Sequence, residues 1–182
     1  MTNRLLTLLA DRPALFDGGY GWLLQDRGLP IGDCAESWNL TNPDAVASLH
    51  DEYASAGARI LTTNTFGATE PRLAAHGLSG RAEEVNRAGA AIARGVGDRH
   101  GALVAGDIGP TGELLDPLGT LTFEEATALF AEQVSGLAAQ CEPAMVDLVD
   151  VLGLRGRGLR ALDVVGAAEG IAGGVVGLGV FL

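Results

Sequence analysis

Three short segments carry most of the side chains that could hold or transform a small molecule. Leu15-Phe16 runs into Asp17-Gly18-Gly19, Arg59-Ile60-Leu61 runs into Thr62-Thr63-Asn64-Thr65, and Leu103-Val104-Ala105-Gly106 runs into Asp107-Ile108-Gly109-Pro110. Asp17 has the charge to hold an amine or act as a base, and the backbone N–H groups of Gly18 and Gly19 suit a carboxylate, so an amino acid would satisfy both. Thr62, Thr63, Asn64 and Thr65 add neutral donors and acceptors, and Asp107 with the stiff Gly109-Pro110 turn would line a third side. Taken singly, each of these residues also fits ordinary turn and capping chemistry. What singles them out is recurrence, since each polar cluster follows an apolar strand signal.

Elements of a definite kind must bring these segments together. A strand over Ala14 to Asp17 is followed by an irregular stretch to about Leu40. Asn42-Pro43-Asp44 opens a helix with Asn42 as N-cap and Pro43 at the first helical position; Val46, Leu49 and Tyr53 share a face, and Gly57 closes it. A second helix near Arg81 to Arg94 buries Ala82, Val85, Gly89 and Ile92 and leads to the Leu103 strand. Thr122 and Glu125 form a capping box ahead of Ala126, Leu129, Phe130, Val134 and Leu137 at helical spacing, and Asp147 to Leu152 reads as a fourth strand. Strand and helix alternate throughout. Right-handed crossovers and a parallel sheet follow, and in such sheets ligands gather at the carboxyl ends of the strands.

Composition agrees with this class and narrows the partners. The hydrophobic fraction is 47% with only 5% aromatics, a core of Ala, Val, Leu and Ile that suits parallel strands covered by helices. At 182 residues the chain is shorter than the roughly 250 of a complete eight-stranded β/α barrel. The net charge of -11 argues against nucleic acid and anionic membrane surfaces, leaving small molecules as the expected partners. Cys34 and Cys141 are too few and too far apart for a disulfide framework or a CxxC metal site, and His50, His76 and His100 lack ligand spacing. The apolar patch Leu5 to Leu9 is cut by Asp11-Arg12-Pro13, so no secretory leader is read and cytoplasmic residence is expected.

Beyond Leu152 the character changes. Arg155, Arg157 and Arg160 alternate with glycines, and Ile171 to Leu182 is almost wholly apolar, although a run of about 12 residues is short of the roughly 20 that span a bilayer. Gly170/Gly174 and Gly173/Gly177 have GxxxG spacing, a weak signal in so glycine-rich a stretch.

The strings FDGGYGWLLQ, ESWNLTNPDAV, SLHDEYASAGARILTTNTFGA, RLAAHGL, EEVNRAGAAIAR and VAGDIGPTGELLDPLGTLTFEEA resemble, in order and spacing, the amino-terminal half of the homocysteine S-methyltransferase family. That family includes betaine-dependent enzymes and the homocysteine domain of cobalamin-dependent methionine synthase. The resemblance covers about Leu15 to Leu152. It implies the first half of a (β/α)8 TIM barrel, homocysteine at the strand ends, and zinc held by three cysteine thiolates of the second half, which keeps the substrate sulfur a nucleophile for an activated methyl group. By motif position, Asp17 and Gly18 fall at the substrate's amino-acid end; Thr63, Asn64 and Thr65 match the polar cluster, and Asp107 lies in the third-strand motif.

The departures are equally specific. The family's Glu-Thr pair at the fourth strand end is missing where Asp147 to Leu152 runs into Gly153-Leu154-Arg155, and neither cysteine matches a ligand position. The expected division is a partial homocysteine-binding barrel domain over 1–152 and an atypical tail over 153–182, whose Gly/Arg/Val-rich composition is that of a shifted reading frame in GC-rich DNA. Two functional readings follow: an incomplete homocysteine S-methyltransferase yielding methionine, or a catalytically inactive half-barrel that binds amino acids weakly. Zinc belongs to the family, and none is expected on this chain. An open half-barrel is also expected to self-associate. The methyl donor is not legible.

Overall fold

The computed structural model describes residues 4–10, 13–151 and 178–181. Its helices are α1 (Arg4–Leu9), α2 (Tyr20–Asp26), α3 (Trp38–Thr41), α4 (Pro43–Ser55), α5 (Glu70–Ala74), α6 (Ala82–His100) and α7 (Phe123–Val151); its strands are β1 (Ile60–Thr62), β2 (Leu103–Ile108) and β3 (Leu178–Phe181). β1 and β2 run parallel in the register Ile60↔Leu103, Leu61↔Val104 and Thr62↔Ala105. Phe16 adds one parallel bridge to Ile60 on the far side of β1. The first expected strand is thus present as a single bridge, reinforced by Asp17 N–H donating to the Ile60 carbonyl at 3.2 Å and Arg59 N–H donating to the Leu15 carbonyl at 2.9 Å.

Helices cover one face of this sheet. α4 begins with Pro43 at its first position and buries Val46, Leu49, His50 and Ala54, one stripe at helical spacing. Asn42 stands at its N-cap without a side-chain hydrogen bond; the turn closes through Ala45 N–H to the Asn42 carbonyl instead. α6 runs past the expected end at Arg94 to His100, where Gly101 takes the left-handed conformation, and it carries Glu83 and Glu84 in its first turn and Arg99 and His100 in its last, as the helix dipole favours. Leu61 packs with Ala54, Ala58, Val96 and Ala102 between sheet and helices. Leu24, Leu29, Val46 and Leu49 form a neighbouring cluster. Each fully buried Leu here contributes about 1.5–3 kcal/mol. The capping box is as expected: Glu125 N–H donates to Thr122 Oγ1 at 3.2 Å and Thr122 N–H to Glu125 Oε2 at 2.9 Å.

Three expectations are corrected. The stretch before Leu40 is not irregular: it contains α2, a 3-10 turn at Ala35–Ser37 and α3. Tyr20, Leu23 and Leu24 already had i, i+3, i+4 spacing. Second, Asp147 to Val151 is the last part of α7 rather than a fourth strand. Met145, Leu148, Val149 and Leu152 repeat at i, i+3, i+4, i+7, and a short apolar run does not by itself distinguish helix from strand. Third, the sheet is not wholly parallel, because β3 pairs antiparallel with β2 in the register Ala105↔Phe181 through Ile108↔Leu178. The Arg/Gly-rich stretch, the GxxxG pairs and the rest of the tail lie outside the described residues. Among the described residues, no helix is long and apolar enough to cross a membrane.

Candidate active site at the strand ends

The Phe16 bridge, β1 and β2 lie side by side, and Asp17, Gly18, Gly19, Thr63, Asn64, Thr65 and Asp107 stand at or just after their carboxyl ends. They do so in two different ways. Asp17 is enclosed: its side chain has 0% exposure, both carboxylate oxygens accept the Thr62 N–H at 2.9 Å, and Oδ2 also accepts the Tyr20 hydroxyl. Behind Tyr20, its hydroxyl lies 2.6 Å from His50 Nδ1, and His50 is fully buried with no partner at Nε2 among the described residues. Burial, followed by the charge of Asp17 and its hydrogen bond, pushes the Tyr20 phenol far above its ordinary value, so it stays a donor. The Asp17 carboxylate ties the Asp17-Gly18-Gly19 turn to the end of β1.

That turn is open on its other side. Gly19 has φ 67°, a conformation L side chains rarely adopt, and it caps α2. A Cβ on Gly18 would meet nothing within 4 Å. The N–H groups of both glycines have no acceptor among the described residues.

The Thr-Asn-Thr cluster is turned inward. Thr63 Oγ1 and Thr65 Oγ1 are 2.6 Å apart; Thr65 donates to the Asp107 carbonyl at 2.7 Å and Asp107 N–H donates to Thr63 Oγ1 at 2.9 Å, which clamps the end of β1 to the end of β2. Asn64 Nδ2 donates to the Ala35 carbonyl at 2.9 Å and to Asn39 Oδ1 at 3.0 Å, while Asn39 Nδ2 returns a bond to the Asn64 carbonyl at 2.7 Å. These residues set the shape of the strand ends. Gly109 N–H donates to the Phe66 carbonyl at 3.1 Å, and a Cβ there would lie 2.4 Å from that same oxygen, so only glycine permits the approach.

Asp107 contrasts with all of these. Its backbone is engaged, yet its carboxylate has no hydrogen bond among the described residues. Burial, aided by the charges of Glu36 and Asp17, pushes it up to about 6. Sequence reasoning missed Glu36, Tyr20, His50, Asn39 and Gln133. Glu36 is buried and accepts Gly67 N–H at 2.5 Å and the Cys34 thiol at 3.2 Å. Gln133 on α7 is also buried, donating to the Thr65 carbonyl at 2.7 Å and to that of Asp107 at 3.4 Å.

The donor set of the described residues does not fit a zinc ion. Among the described residues no three His, Cys, Asp or Glu side chains converge as metal ligands. Cys34 is occupied with Glu36, and burial together with that carboxylate pushes its thiol up to about 12, away from the thiolate zinc requires. His100 pairs with Asp51 at 2.9 Å on the outer helices, remote from the strand ends in role.

Similarity to known proteins converges on one family. The chain is 33% identical over 144 residues to the methionine synthases of Mycobacterium leprae and Mycobacterium tuberculosis, a match covering 73% of this chain and 12% of each relative. Among solved structures it resembles the metallated homocysteine methyltransferase MmuM of Escherichia coli, with a TM-score of 0.63 and 25% identity, over 75% of this chain and 54% of that one. The oxidized form of the same enzyme gives 0.61 at 24% identity, a likeness of fold. The chain thus spans about half the length of the solved enzyme and a small part of the synthases. Residues 14–152 match the homocysteine S-methyltransferase family itself, and the chain belongs to that family.

Proposed function

We propose that residues 1–152 are the amino-terminal half of a (β/α)8 barrel that holds the amino-acid end of homocysteine at its strand ends, with 153–182 as an atypical tail. The observation that carries this reading is the Gly18 and Gly19 N–H pair, without an acceptor among the described residues, on the turn that Asp17 fixes to β1. Asp17, Gly18, Gly19, Thr63, Asn64, Thr65 and Asp107 form the site. Gly18, Gly19 and Asp107 face the ligand, and Asp17 and the Thr-Asn-Thr cluster hold them in place. The full family reaction moves a methyl group to the homocysteine sulfur. The Glu-Thr pair that the family carries at the fourth strand end is missing where Asp147 to Leu152 runs into Gly153. Binding without turnover is the function proposed for this chain.

The test is calorimetric titration of homocysteine into the folded chain, followed by assays for methionine with S-methylmethionine, betaine and methylfolate in turn. Saturable binding with methionine at background is expected. A folded chain that takes up no homocysteine would refute the site, and robust turnover would refute the restriction to binding.

A further inference from the structure

The opposite end of the sheet carries a second feature. The amino ends of β1 and β2 and helix α1 border an open cavity of about 370 Å³, lined by Arg4, Thr7 and Leu8 of α1, Arg59 just before β1, Gly101 after α6 and Leu103 at the start of β2. Arg59 is fixed by its backbone: its N–H donates to the Leu15 carbonyl and its carbonyl accepts Leu103 N–H, both at 2.9 Å. Among the described residues no acidic side chain lines the cavity, although the chain has 23 acidic residues against 12 basic ones. Elsewhere the arginines are matched, Arg27 with Glu52, Arg81 with Glu84, Arg87 with Glu83, Arg94 with Asp98 and Arg99 with Asp51. Among the described residues Arg4, Arg59 and Arg72 have no such pair, and the first two share this cavity. The charge of Arg4 reaches Asp98, but that carboxyl is held low chiefly by its hydrogen bond from Arg94 and is committed there.

We propose that this cavity binds a small phosphate monoester, with the Arg4 and Arg59 guanidinium groups on the phosphate oxygens and Leu8 and Leu103 against the organic part. The site lies away from the strand-end residues and does not rest on the homocysteine reading. Two like charges facing one cavity repel, and an anion between them removes that cost. Each guanidinium presents its N–H donors as a planar fork that fits phosphate oxygens, and two such groups match a dianion where a carboxylate would leave one charge over. Leu8 and Leu103 are half-buried and supply an apolar wall. The volume is near the lower end of the roughly 300–1,000 Å³ of small-molecule pockets.

Calorimetric titration of inorganic phosphate, phenyl phosphate and acetate into the full chain, at one pH and constant ionic strength, tests this. Both phosphates should saturate, phenyl phosphate the more tightly, and acetate should bind at least about tenfold more weakly than inorganic phosphate. Arg4→Gln and Arg59→Gln should each weaken phosphate binding about tenfold, the effect of one charge-assisted hydrogen bond. Arg59→Lys, which keeps the charge and loses the fork, should fall between Arg59→Gln and wild type, and Arg81→Gln at the far end of α6 should change nothing. Both cavity arginines are exposed, so the variants leave the core intact, and thermal unfolding without ligand checks that they fold. Failure of phosphate to saturate on the wild-type chain, or equal binding by the Arg4→Gln/Arg59→Gln double variant, would overturn the inference. So would a double variant that loses the same thermal stability with and without phosphate, the result expected if the two arginines only oppose the negative end of α6.

Discussion

Asp17 and Asp107 are the same residue type at equivalent places, the carboxyl ends of the two strand segments that flank β1, and the fold treats them oppositely. Around Asp17 the chain supplies a backbone N–H, a phenol held as a donor and a histidine behind it. Around Asp107 it supplies two further acids and, among the described residues, no donor to the carboxylate. A carboxylate with its donors already in place has become part of the framework, whereas one held rigidly without them remains available to a ligand. The difference also has a thermodynamic sign: satisfying Asp17 stabilises the folded state, and leaving Asp107 charged in a half-buried place costs it.

Removing the brace should give the largest change. Asp17→Ala leaves Thr62 N–H and the Tyr20 hydroxyl without their acceptor in a buried place, and a loss of about 3 kcal/mol is expected in urea unfolding. A loss below about 1 kcal/mol would erase the distinction between the two acids. Tyr20→Phe removes one bond to Asp17 and strands His50 Nδ1, so about 1.5 kcal/mol should be lost by the same measurement, with the backbone turn retained by circular dichroism.

Asp107→Asn should act in the other direction. The folded-state value of Asp107, about 6, lies above its ordinary 3.8, so between those values the folded chain holds a proton that the unfolded chain has released. The wild type therefore gains stability from this group as pH falls through 6 and loses it as pH rises. After discounting for its solvent contact, the variant should be more stable than wild type by about 1 kcal/mol at pH 7.5, with the advantage vanishing near pH 4. Equal stabilities at both pH values would mean that the carboxylate is better solvated than its surroundings indicate. The smallest effect is expected far from either acid: Thr122→Ala, which removes the exposed capping box, should cost about 0.5–1 kcal/mol and leave ligand binding unchanged.

The parts legible in the sequence were those written locally. The capping box, Pro43 at the start of α4 and the strand signals ahead of each polar cluster all depend on neighbours within a few positions. What was not legible depends on distance along the chain. Tyr20 meets His50 thirty residues later, and Glu36 meets Gly67 across a similar gap, so nothing in the local pattern distinguishes them from surface residues. The end of α7 shows a different limit, since its apolar spacing near Leu148 and Val149 suits a helix face as well as a strand. The antiparallel β3 could not be read at all, because its register with β2 is a pairing across more than seventy residues.

The reach of Gln133 has one more consequence. Its amide carries two protons, and they go to carbonyls on the ends of two different strands, Thr65 after β1 and Asp107 on β2, while its own oxygen finds no partner among the described residues. A single planar group on α7 thereby acts as a gauge block between adjacent strands. It sets how far apart they can splay, and any rotation of α7 about its axis would have to widen or pinch the aperture on the other side of the sheet.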